Sequence, residues 1–436
     1  MFRASYIPVY SGSRNQDAAQ KEDMSIVFRG FSNYKNLDYV SCWFCLGAKY
    51  ILNTNAQLAF VSTNSICQGE QVALTWPRIL NDTIEIGFAH QSFKWTNNAK
   101  GNAGVTVIVL SLRNKSNKQK LIYINNIERK VNNINSYLID GHDFYVERRN
   151  KSISNLPHMP KGNMPYDGGN LILSIEEKEK LIKNFPKTNK YLKRLFGARE
   201  FISNIEKWCL WIKNDNLKEA LEIKEIDDRV KKVKQMRLSS SDESAHKLAD
   251  RPHQFREINE TTTNSVVIPL TTSERREYIP LGFVDESIIL TNAVSVIYDA
   301  EPWIFGVIIS KTHMVWMKNV SGRLKSDYRY SSALCYNTFP FPEITQKQKE
   351  IINLHVFAIL EEREKYPEKT LAQLYDPDKM PKGLKEAHHE LDLAIERCYR
   401  PHKPFESDSE RLEYLFKMYE EMIGKNSLFQ KEKKTK

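Results

Sequence analysis

Short apolar runs with strand-forming residues occupy the first third of the chain, and apolar positions at helical spacing dominate the last quarter. Residues 39–51, Y-V-S-C-W-F-C-L-G-A-K-Y-I, carry few charges at helical spacing and stop at Asn53-Thr54-Asn55, which predicts a helix. L-A-F-V-S-T (58–63) is a short apolar run bounded by polar turn residues and predicts a buried strand of an α/β sheet. Further strands are expected at 84–93 and 104–112, with T-N-N-A-K-G-N as the turn between them and R-N-K-S-N-K (113–118) as a basic surface loop. A helix followed by several strands is the pattern of the second half of a Rossmann-like sheet.

Periodicity then fails. Residues 156–170 are rich in Pro, Gly and Asn and read as a linker. After it, Ser174 and Glu177 form a capping box ahead of a charged helix that Pro186 closes. Residues 201–212 are rich in aromatics, and 220–237 predict a basic helix that brings Arg229, Lys231, Lys232, Lys234 and Arg237 close together. Three β-rich runs follow between 264 and 300, then a mixed apolar segment at 302–317. From Thr345 to about 424 the pattern is helical and heavily charged. The boundaries this suggests are 1–155, 156–343 and 344–425, with 426–436 as a disordered basic tail.

A chain of 436 residues exceeds one small core, so several domains are expected. The 64 basic side chains outnumber the 54 acidic ones and leave a charge of +10, which favours a polyanionic partner without choosing between RNA, DNA and an anionic membrane. No run of about 18 uncharged apolar residues, the length of a membrane-spanning helix, is present. There is no signal peptide ahead of Arg14, so a cytoplasmic protein of bacterial type is expected, with no membrane partner. The six cysteines lie among apolar neighbours and read as reduced thiols. Cys42 and Cys45 form a C-x-x-C with no second pair at zinc spacing, so no metal site is assigned. His388, His389 and Glu390 sit in a charged helical stretch and read as a solvated face.

Two stretches around 163–178 resemble active-site motifs. N-M-P-Y (163–166) is close to the Asn-Pro-Pro-Tyr tetrapeptide of amino-methyltransferases, and Asp167 with Glu176-x-Lys178 is close to a metal-dependent nuclease triad. Ser174 to Glu177 is a helix cap, whereas a nuclease needs its Glu-x-Lys on a strand beside the Asp. A second kind of chemistry lies in G-R-L-K-S-D-Y-R-Y-S (322–331), which packs Arg323, Lys325, Asp327 and Arg329 among Tyr328 and Tyr330. Basic groups can pair with phosphates or guanine, a carboxylate can accept from cytosine N4, and tyrosines supply stacking or phosphate contacts. An exposed hairpin with paired charges fits the same residues. F-K-W (93–95) closes an expected strand, where aromatics can sandwich an extruded base or pack at a rim.

Several long strings make the chain recognisable. Asp38 to Val72, F-K-W-T-N-N-A-K-G-N-A-G-V (93–105), F-G-A-R-E-F-I-S-N-I-E-K-W-C-L-W (196–211), S-E-R-R-E-Y-I-P-L-G-F (273–283), the 322–331 segment and Y-N-T-F-P-F-P (336–342) each resemble the MmeI-like type IIG/IIL restriction-modification enzymes, in order, over nearly the whole chain. The resemblance implies an α/β fold: an incomplete Rossmann-like class I methyltransferase half-sheet (1–155), an α+β target-recognition domain (156–343) and a helical C-terminal domain (344–425). It implies adenine-N6 DNA methylation with S-adenosylmethionine as cofactor and double-stranded DNA as partner. The family's glycine-rich cofactor loop has no counterpart in this sequence, so no cofactor-binding residue is assigned.

The resemblance places the base-binding tetrapeptide at Ile7-Pro8-Val9-Tyr10, where Pro8 and Tyr10 fit. Ile7 has no amide oxygen to accept from the adenine amino group. N-M-P-Y comes about a hundred residues after the strand at 58–63, which should follow the tetrapeptide, so the order excludes it. Phe93 and Trp95 would line the target-base pocket with Tyr10, and Ser62, Thr63 and Asn64 would lie near its rim. Lys325 and Asp327 would read one base pair, with Lys donating to guanine and Asp accepting from cytosine, while Arg229, Lys232, Arg323 and Arg329 would contact phosphates.

Three readings follow. The chain is a C-terminal portion that recognises DNA and is inactive alone, or a subunit of a split enzyme completed by a chain carrying the other methyltransferase half, or a nucleic-acid-binding adaptor with no link to methylation. A half-sheet without its first strands is expected to expose an apolar edge that pairs or aggregates.

Overall fold

The computed structural model describes residues 10–94, 106–124, 127–324 and 326–434, with side chains described as far as residue 424. It consists of two compact units. One comprises Met1–Ser154, Val315–Pro340 and Glu406–Lys436, the other Asn155–Met314 and Phe341–Phe405.

The first unit opens with α1 (Ala18–Val27), started by a capping box of Asp17 and Gln20, and α2 (Val40–Ile51). Strand β1 (Gln57–Thr63) leads to α3 (Glu70–Thr75), and then come β2 (Ile84–Lys94), β3 (Thr106–Asn114), β4 (Lys120–Ile124) and β5 (Ile127–Val131). These strands form one sheet in the order β1-β3-β2-β4-β5. The apolar face of α2 covers part of it: Phe44 meets Phe60 edge-on at 5.0 Å and Trp76 at 5.8 Å.

Two expectations change here. The 58–63 run forms a strand, but at the sheet edge, and only Ser62 in it is fully buried. Its hydrophobic content reflects packing under α2 on one face and an outer edge with no partner among the described residues. Arg113, expected in a surface loop, lies within β3 instead and is buried, because its guanidinium pairs with Glu85 at 2.8 Å, and Lys120 pairs with the same carboxylate at 2.9 Å. A buried carboxylate with two cations is what lets that arginine leave water.

The second unit contains β6 (Ile172–Leu173), α4 (Ile175–Asn184), β7 (Leu192–Phe196), α5 (Ala198–Ser203), β8 (Trp208–Leu210), α6 (Leu217–Leu221), α7 (Lys224–Leu238) and α8 (Glu243–Leu248). Next come β9 (Ser265–Pro269), β10 (Thr271–Thr272), β11 (Gly282–Val284), β12 (Ile288–Leu290), β13 (Val294–Ile297) and α9 (Pro302–Ile309). One sheet runs β12-β7-β8-β6 and another β11-β9-β13. Leu173, Leu192, Leu210, Val230 and Phe255 belong to the main core of this unit. The capping box at Ser174 and Glu177 starts α4.

The stretch 156–170 is not a solvated linker. Gly162 donates its backbone N–H to Val294 O at 3.1 Å, and Asn163, fully buried, donates its backbone N–H to Leu290 O at 2.7 Å. A Cβ on Gly162 would lie 2.4 Å from Thr291 O, so this Gly-rich sequence serves close backbone packing rather than flexibility. Asp167 is buried and accepts from Gly169 N and Leu171 N, and Lys178 lies 3.8 Å over the Trp208 ring. Neither belongs to a nuclease centre.

Helix α10 (Lys311–Val320) leads to a hairpin of β14 (Gly322–Leu324) and β15 (Asp327–Arg329) in the first unit. Helices α11 (Gln346–Glu364), α12 (Leu371–Leu374) and α13 (Lys382–Tyr399) then build on the second unit, where a Cβ on Gly306 of α9 would lie 2.6 Å from Ile352 of α11. The last helix, α14 (Asp408–Lys434), returns to the first unit and buries Phe416 and Tyr419 against Phe144 and Trp316. It runs through 426–434, expected as a disordered tail: residues 425–434 contain no Gly or Pro and are mostly straight-chain helix formers.

His388, expected on a solvated face, is fully buried in α13, while His389 and Glu390 are exposed. Its Nε2 pairs with the Tyr375 hydroxyl at 2.8 Å, and its ring stacks on Tyr278 at 4.1 Å. Adjacent residues on a helix point about 100° apart, so one histidine of the pair faces the core.

Candidate DNA-recognition and target-base site

Strands β1 and β2 both run antiparallel to β3, and β4 runs parallel to β2, so the carboxyl ends of β1, β2 and β4 share one edge of the sheet. Ligand sites of α/β sheets form at such ends. Here β1 delivers Ser62 and Thr63 into a 3-10 turn, Asn64–Cys67. The Thr63 and Ser65 hydroxyls lie 3.0 Å apart, and Asn64 Nδ2 donates to Ser92 Oγ at 3.4 Å, which ties the end of β1 to the end of β2. Phe93 stands beside this bond, 39% exposed, with its ring edge-on to His90, and His90 stacks on Tyr123 at 4.3 Å. Trp95 lies outside the described residues.

Tyr10 stands on a segment latched to the loop before α2. Tyr39 N donates to Ser11 O at 2.9 Å, and Gln16 Nε2 to Leu37 O at 2.9 Å. A Cβ on Gly12 would lie 3.5 Å from the Tyr10 hydroxyl and 3.8 Å from Asp38 Oδ1, so both groups flank that glycine. Burial raises the Asp38 carboxyl above its usual range, opposed by hydrogen bonds from the Ser65 hydroxyl and the Ser13 backbone N–H. Burial, then the Asp38 charge, raises the Tyr10 phenol. Ile7, Pro8 and Val9 lie outside the described residues. Asp38 was not foreseen as a site residue, because its partners Ser13, Ser65 and Gln71 are far from it in sequence.

In the hairpin, Asp327 is half-buried and Arg329 exposed, while Lys325 lies outside the described residues. Arg323 turns inward. Its guanidinium lies 4.2 Å over the Tyr328 ring and donates to Ser326 O at 2.9 Å and to the Tyr328 hydroxyl at 3.1 Å. The Tyr328 and Tyr330 rings are buried, so they support the hairpin rather than offering faces for stacking.

The basic helix divides in the same way. Arg229 binds Glu177 at 2.7 Å and Asn170 O at 3.0 Å, and Arg237 is fully buried, donating to the carbonyls of Pro165, Tyr166, Leu248, Arg251 and Gln254. Lys232 and Lys234 are exposed. Helical periodicity separates these residues: Val230, Val233 and Arg237 share the inward stripe. Among the described residues no group of three or more His, Cys, Asp or Glu could hold a metal ion, and no helix is long and apolar enough to cross a membrane.

Family models match three consecutive stretches: the MmeI DNA-methyltransferase domain at residues 5–124, the MmeI target recognition domain at 140–343 and the MmeI C-terminal domain at 344–426. The chain belongs to the MmeI-like family. It is 45% identical over 416 residues to DNA methyltransferase A of Bacillus subtilis (strain 168), an alignment covering 95% of this chain and 47% of that protein. A solved structure of the type IIL restriction-modification enzyme MmeI in complex with DNA superposes with a TM-score of 0.88 at 42% identity, over 96% of this chain and 57% of that one. The chain thus spans about half the length of the curated relative it matches. The methyltransferase fold followed by recognition and helical segments is the family's order. The hairpin of β14 and β15 falls in the recognition segment of the sequence but is grouped with the first compact unit.

Proposed function

We propose that this chain is the DNA-reading and target-base-handling part of an adenine-N6 DNA methyltransferase. Lys325 and Asp327 read one base pair, Tyr10, Phe93 and Trp95 line the pocket for the extruded adenine, and exposed Lys232 and Arg329 contact phosphates. The observation that carries this reading is the shared carboxyl edge of β1 and β2, where the Asn64–Ser92 bond supports a half-exposed Phe93. Arg323 and Arg229 have other work: the first braces the hairpin and the second holds Glu177.

The family implies S-adenosylmethionine, which supplies the methyl group when bound. Among the described residues no strand leads into a glycine-rich turn that could cradle it, so no residue of this chain is assigned to the cofactor and no step is derived through it. At the tetrapeptide slot, the Ile7 side chain has no oxygen to accept a hydrogen bond from the adenine amino group, which removes the side-chain interaction that would hold and polarise N6. On this reading the chain by itself reads DNA and presents a base, and transfer needs a hydrogen-bond acceptor that the Ile7 side chain does not supply.

A second reading, in which another chain supplies the other methyltransferase half, is favoured by β1. Its outer edge has no strand partner among the described residues, Leu58 and Phe60 are only half-buried, and Leu46 and Tyr50 are exposed one turn apart on α2. Such an edge is a template for strand pairing. Labelled S-adenosylmethionine with duplex DNA tests both readings. We expect no transfer by the chain alone and transfer once a chain carrying the glycine-rich loop and an intact tetrapeptide is added. Transfer by the chain alone contradicts the first reading, and no transfer by the mixture contradicts the second.

A further inference from the structure

Within the first unit the hairpin of β14 and β15 meets the methyltransferase rim at a point of backbone contact. That point is Gly69, between the turn Asn64–Cys67 and α3. Gly69 has φ 59° and ψ −149°, a conformation essentially confined to glycine. A Cβ there would lie 3.2 Å from the Cα and N of Gly322, the first residue of β14. The restriction is one-sided: a Cβ on Gly322 would meet nothing within 4 Å.

From Gly69 the contacts continue toward Tyr10. Glu70 pairs with Arg148 at 2.9 Å, and Gln71 accepts from Asp38 N at 3.0 Å while donating to Asn36 O at 2.8 Å. The Asp38 carboxylate, 8% exposed, is held by Ser65 and by the Ser13 backbone, beside the Tyr10 hydroxyl. A contact made by backbone atoms cannot relax by changing a rotamer, so a displaced hairpin displaces the rim with it.

We propose that Gly69 is a positioning residue that seats the base-reading hairpin on the rim, and that Gln71 and Asp38 carry its placement to Tyr10, so that reading a base pair and capturing the target adenine are coupled. This rests on the reading of Lys325 and Asp327 as base readers and of Tyr10 and Phe93 as the pocket. Gly69, Gln71 and Asp38 touch neither the base nor the methyl donor; they act through the groups that do.

A randomised duplex pool gives the preferred sequence of the wild-type chain, and 2-aminopurine placed at each adenine of that duplex then reports extrusion by its fluorescence. The wild type and Gly322→Ala should select one sequence and extrude one adenine. Gly69→Ala should keep the selected sequence and lose the extrusion signal by about tenfold, with Gln71→Ala losing it by a smaller factor. The double variant should lose little more than Gly69→Ala, because both changes cut the same series of contacts. An unchanged signal in Gly69→Ala overturns the proposal. Should Gly69→Ala fail to fold by near-ultraviolet circular dichroism, Gln71→Ala decides: reduced extrusion with unchanged sequence choice supports it, and unchanged extrusion overturns it. A wild type that selects a sequence without extruding any base overturns the coupling and leaves base reading standing. A wild type that selects no sequence overturns base reading and the coupling with it.

Discussion

Arg237 and Asp392, buried in the second unit, are closed off by partners inside the protein, whereas Phe93 and Tyr10 at the rim of the first stay open to solvent. Arg237 donates to five carbonyls, and Asp392 accepts from the Tyr278 hydroxyl at 2.7 Å and the Lys311 backbone N–H at 2.7 Å. At the rim, Asn64 reaches Ser92 only at 3.4 Å, and Phe93 and Tyr10 stay substantially exposed. The difference separates scaffold from site. Where a buried charge finds all its partners inside the protein it has nothing left to offer a ligand, and an arginine in a basic run is no exception.

The largest effect expected from this contrast is on folding. Arg237→Met should leave several buried carbonyls unpaired and destabilise the second unit by about 3 kcal/mol or more in chemical denaturation. A loss below about 1 kcal/mol would mean that Arg237 is not a closed structural centre.

Next in size is a pH effect. Burial raises the Asp392 carboxyl to about 7, against the hydrogen bonds from Lys311 N and Tyr278 and with the nearby Glu396 charge adding to the rise. Because the folded value lies above the unfolded one, this group's contribution is fully present below about pH 4 and is lost as pH rises toward 7. Thermal unfolding followed across that window should show stability falling with pH, by up to about 1.4 kcal/mol per unit. Asp392→Asn should flatten the dependence, and an unchanged slope in that variant would assign it to other groups.

The open edge of the first unit predicts self-association. Ala59→Lys on β1 should shift the chain toward monomer in light scattering, since a charge on an edge strand opposes pairing. Association that persists unaltered would place the sticky surface elsewhere.

Smallest are the effects on the basic helix. Lys232→Ala should lower the salt slope of DNA binding by about one, whereas Arg229→Ala should leave the slope unchanged and weaken only the Glu177 contact. Equal slopes for the two variants would blur the distinction between solvated and structural cations.

Much of this was legible in the sequence. The helix at 40–51, the strands β1, β2 and β3 and the capping box at Ser174 follow from periodicity and cap chemistry, which are local, whereas β4 and β5 were not anticipated. The long strings around Asp38–Val72 and 322–331 carried the family resemblance, and the family models match the stretches that contain them. What could not be read depends on partners distant in the chain. Arg113 is buried by Glu85, His388 by Tyr278 and Tyr375, and Asn163 by Leu290. Charge counts treat Arg237 and Lys232 alike; only the inward stripe of the helix against five carbonyls tells them apart. The close approach of Gly69 to Gly322 joins residues far apart in the chain and has no local signature.

The most direct measurement exchanges the two residues proposed to read a base pair. Selection from a randomised duplex pool with wild type and with the double variant Lys325→Asp and Asp327→Lys should give consensus sequences that differ at one base pair, G·C replaced by C·G. Preference there should be on the order of 1–3 kcal/mol and affinity for each variant's own sequence similar. An unchanged consensus with a general loss of affinity would contradict base reading by this hairpin.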